Sequence, residues 1–132
     1  MAKATKTRLL SFSTDDKPGL LAEITNALAE AKVNITAICA YSWDDTAYVD
    51  MTVDAPPKAK RQLVKMGFAV EAEDILAVEM PNRAGELDKV ARALAGAGIN
   101  ISYLYGTTSA GRTSTAIFST SDNKAAMRVL AK

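Results

Sequence analysis

The chain has 132 residues, 48% of them hydrophobic and 23% charged, with 16 Lys and Arg against 15 Asp and Glu and a formal charge of +1. That length suits one globular domain or two very small ones, and the balanced charge leaves no net field to draw nucleic acid or an anionic membrane. Histidine is absent and Cys39 is the single cysteine, which removes the usual Ser-His and Cys-His catalytic pairs, the commonest metal ligand and any internal disulfide.

In chain order, the basic start is followed by no apolar run of signal-peptide or membrane-span length, so a cytoplasmic location is expected. An apolar stretch with alternating character, Arg8 to Thr14, predicts a strand with Leu10 and Phe12 on one face. The turn residues Asp15-Asp16-Lys17-Pro18-Gly19 then deliver the chain into a helix whose buried stripe is expected at Leu21, Ile24, Leu28 and Ala31. A strand follows Asn34, with Cys39 as a small buried residue in it; Ser42 to Asp45 form a turn, and a further strand begins at Ala47. Pro56 to Gly67 reads as a second helix, started by proline and stopped by glycine, and Phe68 to Glu73 as a fourth strand.

From Asp74 the pattern begins again. Sliding the chain by 66 residues lays Asp16–Ile35 over Asn82–Ile101, and eight of those twenty positions are identical, among them Gly19 with Gly85, Leu28 with Leu94, Asn34 with Asn100 and Ile35 with Ile101. A repeat with a period of half the chain is a duplicated domain rather than a solenoid. The second copy predicts a strand at Asp74 to Met80, a helix burying Leu87, Val90, Leu94 and Ala97, a hairpin turning at Ser109 to Arg112, and a helix at Asn123 to Lys132. No fourth strand follows that helix, which leaves a sheet edge to be covered or paired.

Two units of strand-helix-strand-strand-helix-strand order define an α+β chain of two ferredoxin-like units, antiparallel sheets with helices on one face, the second unit lacking its last strand. The expected domains are residues 1–73 and 74–132. Lys32 and Gly98 occupy equivalent helix ends. Glycine suits a left-handed C′ position, whereas Lys carries a steric cost there, so the first helix is expected to end differently.

The Pro-Gly turn has a structural role, and it also has a chemical one. Helix N-termini present unpaired N–H groups and a positive dipole end, which suit a carboxylate, while an Asn amide both donates and accepts, which suits an amino acid's ammonium and carboxylate. Tyr41, Trp43, Tyr48, Tyr103 and Tyr105 are expected to pack across strands, with Tyr103 or Tyr105 able to wall a pocket.

The stretches "DKPGLLAEITNALAEAKVNI" and "NRAGELDKVARALAGAGINISYLY", each preceded by a strand, resemble the ACT domain, in particular small stand-alone proteins of two ACT domains in tandem. The resemblance implies a non-catalytic regulatory homodimer that binds a small ligand, most often an amino acid, at the interface of paired domains, without metal or other cofactor and without nucleic acid or membrane as partner. It places the ligand site at Asp15, Lys17, Gly19, Leu20, Asn34 and Ile35 in the first copy and at Asn82, Arg83, Gly85, Glu86, Leu87, Asn100 and Ile101 in the second. Ala84 stands where the family often has proline, and Glu86 where the first copy has Leu20, so the two sites are expected to differ. The alternative is a protein interaction platform with a degenerate ligand site. Phosphatase and RNA-binding relatives of this topology need a phosphate loop or a basic, aromatic strand, and neither is present.

Overall fold

Ten elements follow one another in the order set by the repeat: β1 (Lys3–Asp15), α1 (Leu20–Glu30), β2 (Ile35–Trp43), β3 (Thr46–Val53), α2 (Pro56–Lys65), β4 (Glu71–Pro81), α3 (Glu86–Gly96), β5 (Ile101–Thr107), β6 (Thr113–Thr120) and α4 (Asn123–Leu130). They come from a computed structural model that describes residues 2–107 and 110–131. The expected turn residue Ser109 lies outside the described residues. The chain divides into two units: one is residues 8–73, and the other joins the N-terminal segment through Thr7 to everything from Asp74 onward.

In the unit 8–73 the strand order is β2-β3-β1, with both pairings antiparallel. Leu10 lies opposite Met51 and Phe12 opposite Val49. These four face the helices and close a core with Ile24 and Leu28 of α1 and Ala59 and Leu63 of α2. Phe68 stacks on Phe12 at 4.5 Å between ring centroids, so the segment leading into β4 is held by packing, and strand geometry begins at Glu71 rather than at Phe68. The β2–β3 turn consists of Asp44 (φ 50) and Asp45 (φ 64). Two consecutive positive φ values match the hand of a hairpin turn, and Asp is among the few side chains that tolerate them.

The other unit repeats the plan with β4-β6-β5, again antiparallel. Its core is built on Leu76, Val78, Val90, Leu94 and Phe118, with Ala126 and Leu130 from α4. Beside β4 stands the N-terminal part of β1. Ala2 and Ala4 pack on this core, the Thr5 hydroxyl donates to the Ala77 carbonyl at 3.4 Å, and Lys6 pairs with Asp74 at 3.3 Å. The fourth position that the sequence leaves open after α4 is thus filled from the beginning of the same chain.

Two local expectations are corrected. The buried stripe of α1 is Leu20, Ile24 and Leu28, and that of α3 is Glu86, Val90 and Leu94. Leu21 is 52% exposed and Leu87 44%, because a residue one place along a helix is rotated by about 100°, enough to carry both off the packed face. Ala97 is likewise exposed at the helix end. The helix ends are also alike: Lys32 adopts φ 61 and Gly98 φ 70. Lys32 N–H donates to Ala29 O and Val33 N–H to Leu28 O, as Gly98 does to Ala95 and Ile99 to Leu94, all at 2.9–3.0 Å. These bonds, with Val33 buried behind them, hold the lysine in a left-handed conformation that it disfavours by itself.

Candidate functional site

The Pro-Gly loop of the unit 8–73 is pinned before it enters α1. Asp16 N–H donates to Asp45 O at 2.9 Å, and the Ser42 hydroxyl donates to Asp16 Oδ2 at 2.8 Å. Gly19 then takes φ 83 as the residue that caps α1, with no side chain bonding the helix end. A Cβ at Gly19 would meet nothing within 4 Å, so the requirement for glycine there is conformational. The first-turn amides of α1 open on a recess of about 250 Å³ lined by Lys17, Gly19, Leu20, Leu21, Ala40 and Ser42, with Asp16, Tyr41, Ala47 and Val49 at its sides. Lys17 reaches over to Glu23 at 3.0 Å. The arrangement offers backbone donors and a dipole end at one side and an apolar wall at the other, which are the elements for holding an anion that carries an apolar body.

Of the residues expected here, Lys17, Gly19 and Leu20 line the recess, while Asp15 is the last residue of β1 and does not. Asn34 and Ile35 stand at the other end of α1, whose eleven residues span about 16 Å. There Asn34 N–H donates to Asp54 Oδ1 at 2.9 Å and the Asn34 carbonyl accepts from Asp54 N–H at 3.0 Å. The two ends of the expected site are therefore not brought together within this unit. The recess also takes in Leu21, Ala40 and Ser42, which the sequence does not mark. Spacing places Leu21 in the core, and the Asp16–Ser42 bond joins residues 26 apart, a contact that no local pattern announces.

The second loop differs. Asn82 N–H donates to Arg112 O at 2.8 Å and its amide to Gly111 O at 3.1 Å, and Gly85 repeats the left-handed cap at φ 90. Glu86, in the place of Leu20, is only 7% exposed. It accepts from Lys89 at 2.9 Å and lies 3.9 Å from Arg83. The Lys89 hydrogen bond holds its carboxyl below the ordinary glutamate value against the opposing effect of burial, with the charges of Lys89 and Arg83 assisting. Together with Ala2, Val90, Ala93, Val129 and Leu130, these three residues line a recess of about 230 Å³. Leu87 faces solvent beside it. Asn100 and Ile101 again stand at the far end of the helix, where Asn100 N–H donates to Ser121 Oγ at 3.0 Å. The two loops share a backbone and differ in chemistry.

Among the aromatic residues, Tyr41 and Tyr48 are opposite one another on β2 and β3 and stack at 5.2 Å. Tyr103 and Tyr105 stack along β5 at 6.5 Å, and Trp43 is 74% exposed at the hairpin end. Cys39 is half-buried on β2. Among the described residues no group of three or more Cys, Asp or Glu side chains is placed to hold a metal ion, and no helix is long and apolar enough to cross a membrane.

Two βαββα units, each turning into its first helix through a left-handed glycine, define a tandem ferredoxin-like fold. The chain belongs to the ACT domain family: the model for an ACT domain pair matches residues 5–132. It is similar to the crystal structure of a protein from Bacteroides thetaiotaomicron, with 29% identity and a TM-score of 0.89 over 97% of this chain and 88% of that one. Aspartokinase alpha and beta subunits match at 24% identity and TM-score 0.70, covering 98% of this chain and 93% of that one. The ligand-free regulatory subunit of aspartate kinase from Thermus thermophilus matches at 20% identity and TM-score 0.70, covering 98% and 94%. These last two likenesses establish the fold alone. No curated protein matches the chain.

Proposed function

We propose that this protein is a cytoplasmic amino-acid sensor without catalysis of its own, working as a homodimer in which two ACT domain pairs, divided at 73/74, build their ligand sites between chains. The observation that carries the reading is the recess at the N-terminus of α1, which no side chain caps and where left-handed Gly19 turns the backbone beside Leu20, Leu21 and Ala40. An amino acid's carboxylate takes the helix end and its side chain the apolar wall. Asn34, remote from that recess in its own unit, completes the site from the partner chain, where its exposed amide meets the ligand ammonium. The second loop, with Glu86 withdrawn toward Lys89 and Arg83, either discriminates against a carboxylate or binds a different ligand. Membership of the ACT domain family, matched over residues 5–132, supports a regulatory role.

A thermal-shift screen against the twenty amino acids, followed by calorimetry, tests the reading. A ligand that binds only the folded state stabilises it by about 2.7 kcal/mol at a hundredfold excess over its Kd. One selective hit, lost in both Asn34→Ala and Gly19→Ala, is expected. No shift with any amino acid, from folded protein, removes the sensor reading in favour of a protein-docking platform.

A further inference from the structure

The face of the β2-β3-β1 sheet turned away from the helices carries a second recess, of about 310 Å³, and its side chains form a grid fixed by strand register. Ser11 lies opposite Asp50, which lies opposite Cys39; Ser13 lies opposite Tyr48, which lies opposite Tyr41. Residues directly opposite in antiparallel strands share a face. The stacked Tyr41 and Tyr48 line this space together with Ser11, Phe12, Ser13, Asp50, Ala69 and Glu71. Among the described residues its lining holds no basic side chain.

The duplicated fold supplies an internal control for what this face requires. At the equivalent register positions of the other unit stand Ala77, Ile117 and Tyr105, with Ile117 buried where the first unit has Asp50. The fold is thus satisfied by an apolar residue at that point, and a carboxylate there is not a demand of the sheet. Asp50 is half-buried; burial, and then the charge of Glu73, push its carboxyl above the ordinary aspartate range. A cation seated in the recess relieves both effects, because it replaces lost hydration and offsets the neighbouring carboxylate.

We propose that this recess is a binding site for a small organic cation, a guanidinium or primary ammonium on a short apolar stem, with the charge against Asp50 and Glu71 and the stem against the faces of Tyr41 and Tyr48. Carboxylates select the charge, tyrosine faces attract it further, and the serine hydroxyls accept its remaining N–H groups. The site does not rest on the amino-acid reading: its ligand needs no carboxylate, and although Tyr41 borders both recesses, Asp50, Tyr48 and Glu71 do not line the one at Gly19.

The test is a ¹⁵N-NMR titration of the full chain with n-butylguanidinium, using n-butylurea, its uncharged isostere, as the control. Saturable shifts centred on the amides of Ser11, Tyr48, Asp50 and Glu71 are expected, with Kd on the order of 1 mM for so small a probe. Butylurea should bind at least about tenfold more weakly, and Asp50→Asn should weaken the guanidinium by a similar factor. Tyr48→Ala provides a second variant that removes the ring and keeps the carboxylates, with an expected loss of about threefold to tenfold. Equal binding of the urea, an unchanged Kd in folded Asp50→Asn and Tyr48→Ala, or no saturable shift up to the solubility of the probe overturns the proposal. An amino-acid response at the Gly19 recess should survive Asp50→Asn, so failure of one site leaves the other standing.

Discussion

Replacing Lys32 by glycine should stabilise the protein, although it deletes a side chain. Lys32 sits at φ 61 at the end of α1, a conformation that costs an L-residue roughly 1–2 kcal/mol. Glycine removes this cost but loses more backbone freedom on folding, worth about 0.4–1 kcal/mol. The balance favours Lys32→Gly by about 0.5–1 kcal/mol, a rise in Tm of roughly 2–5 °C for a chain of this size. The backbone bonds to Ala29 and Leu28 are kept, and the lysine side chain is exposed, so little packing is forfeited. The mirror change, Gly98→Lys at φ 70, imposes the same strain and should lower stability by a similar amount. Urea unfolding monitored by circular dichroism measures both. A lower midpoint for Lys32→Gly, or no loss for Gly98→Lys, refutes the account of both helix ends as strained left-handed caps.

Leu28 has no exposed surface and lies at the centre of the first core; Leu28→Ala should cost about 2–5 kcal/mol in urea unfolding. The Lys89 hydrogen bond holds the Glu86 carboxyl below the ordinary glutamate value. Its folded pKa is depressed, so the stability it contributes is complete above the unfolded value and disappears as pH falls through the folded one. Glu86→Gln should therefore flatten the acid limb of the wild-type Tm profile below about pH 4.5, and an unchanged limb would dismiss the Lys89 bond as the cause. Removing residues 2–7 withdraws the strand beside β4 together with Ala2 and Ala4. Hydrogen exchange should then quicken in β4 and α4 more than in β2 and β3, and uniform behaviour would show that the N-terminal segment does not complete the second unit.

The duplicated order of elements and the positions of its punctuation were legible in the sequence because they are local. Pro18 and Gly19 restrict or free their own dihedrals, Asp44 and Asp45 suit a tight hairpin turn, and three- and four-residue spacings mark a helix whatever it packs against. What the sequence could not settle depends on partners distant along the chain. Spacing alone permitted either Leu20 or Leu21 to face inward, and only the position of the sheet put Leu20 in the core and Leu21 at the recess. Local sterics argued against a left-handed Lys32, and the packing of Val33 overruled them. Asp50 and Tyr48 became neighbours of Ser11 and Ser13 through register across some 35 to 39 residues of chain. The open edge of the second unit found its strand at the opposite end of the sequence, since the unpaired N–H and C=O groups of an edge can be met by any extended segment the fold brings alongside.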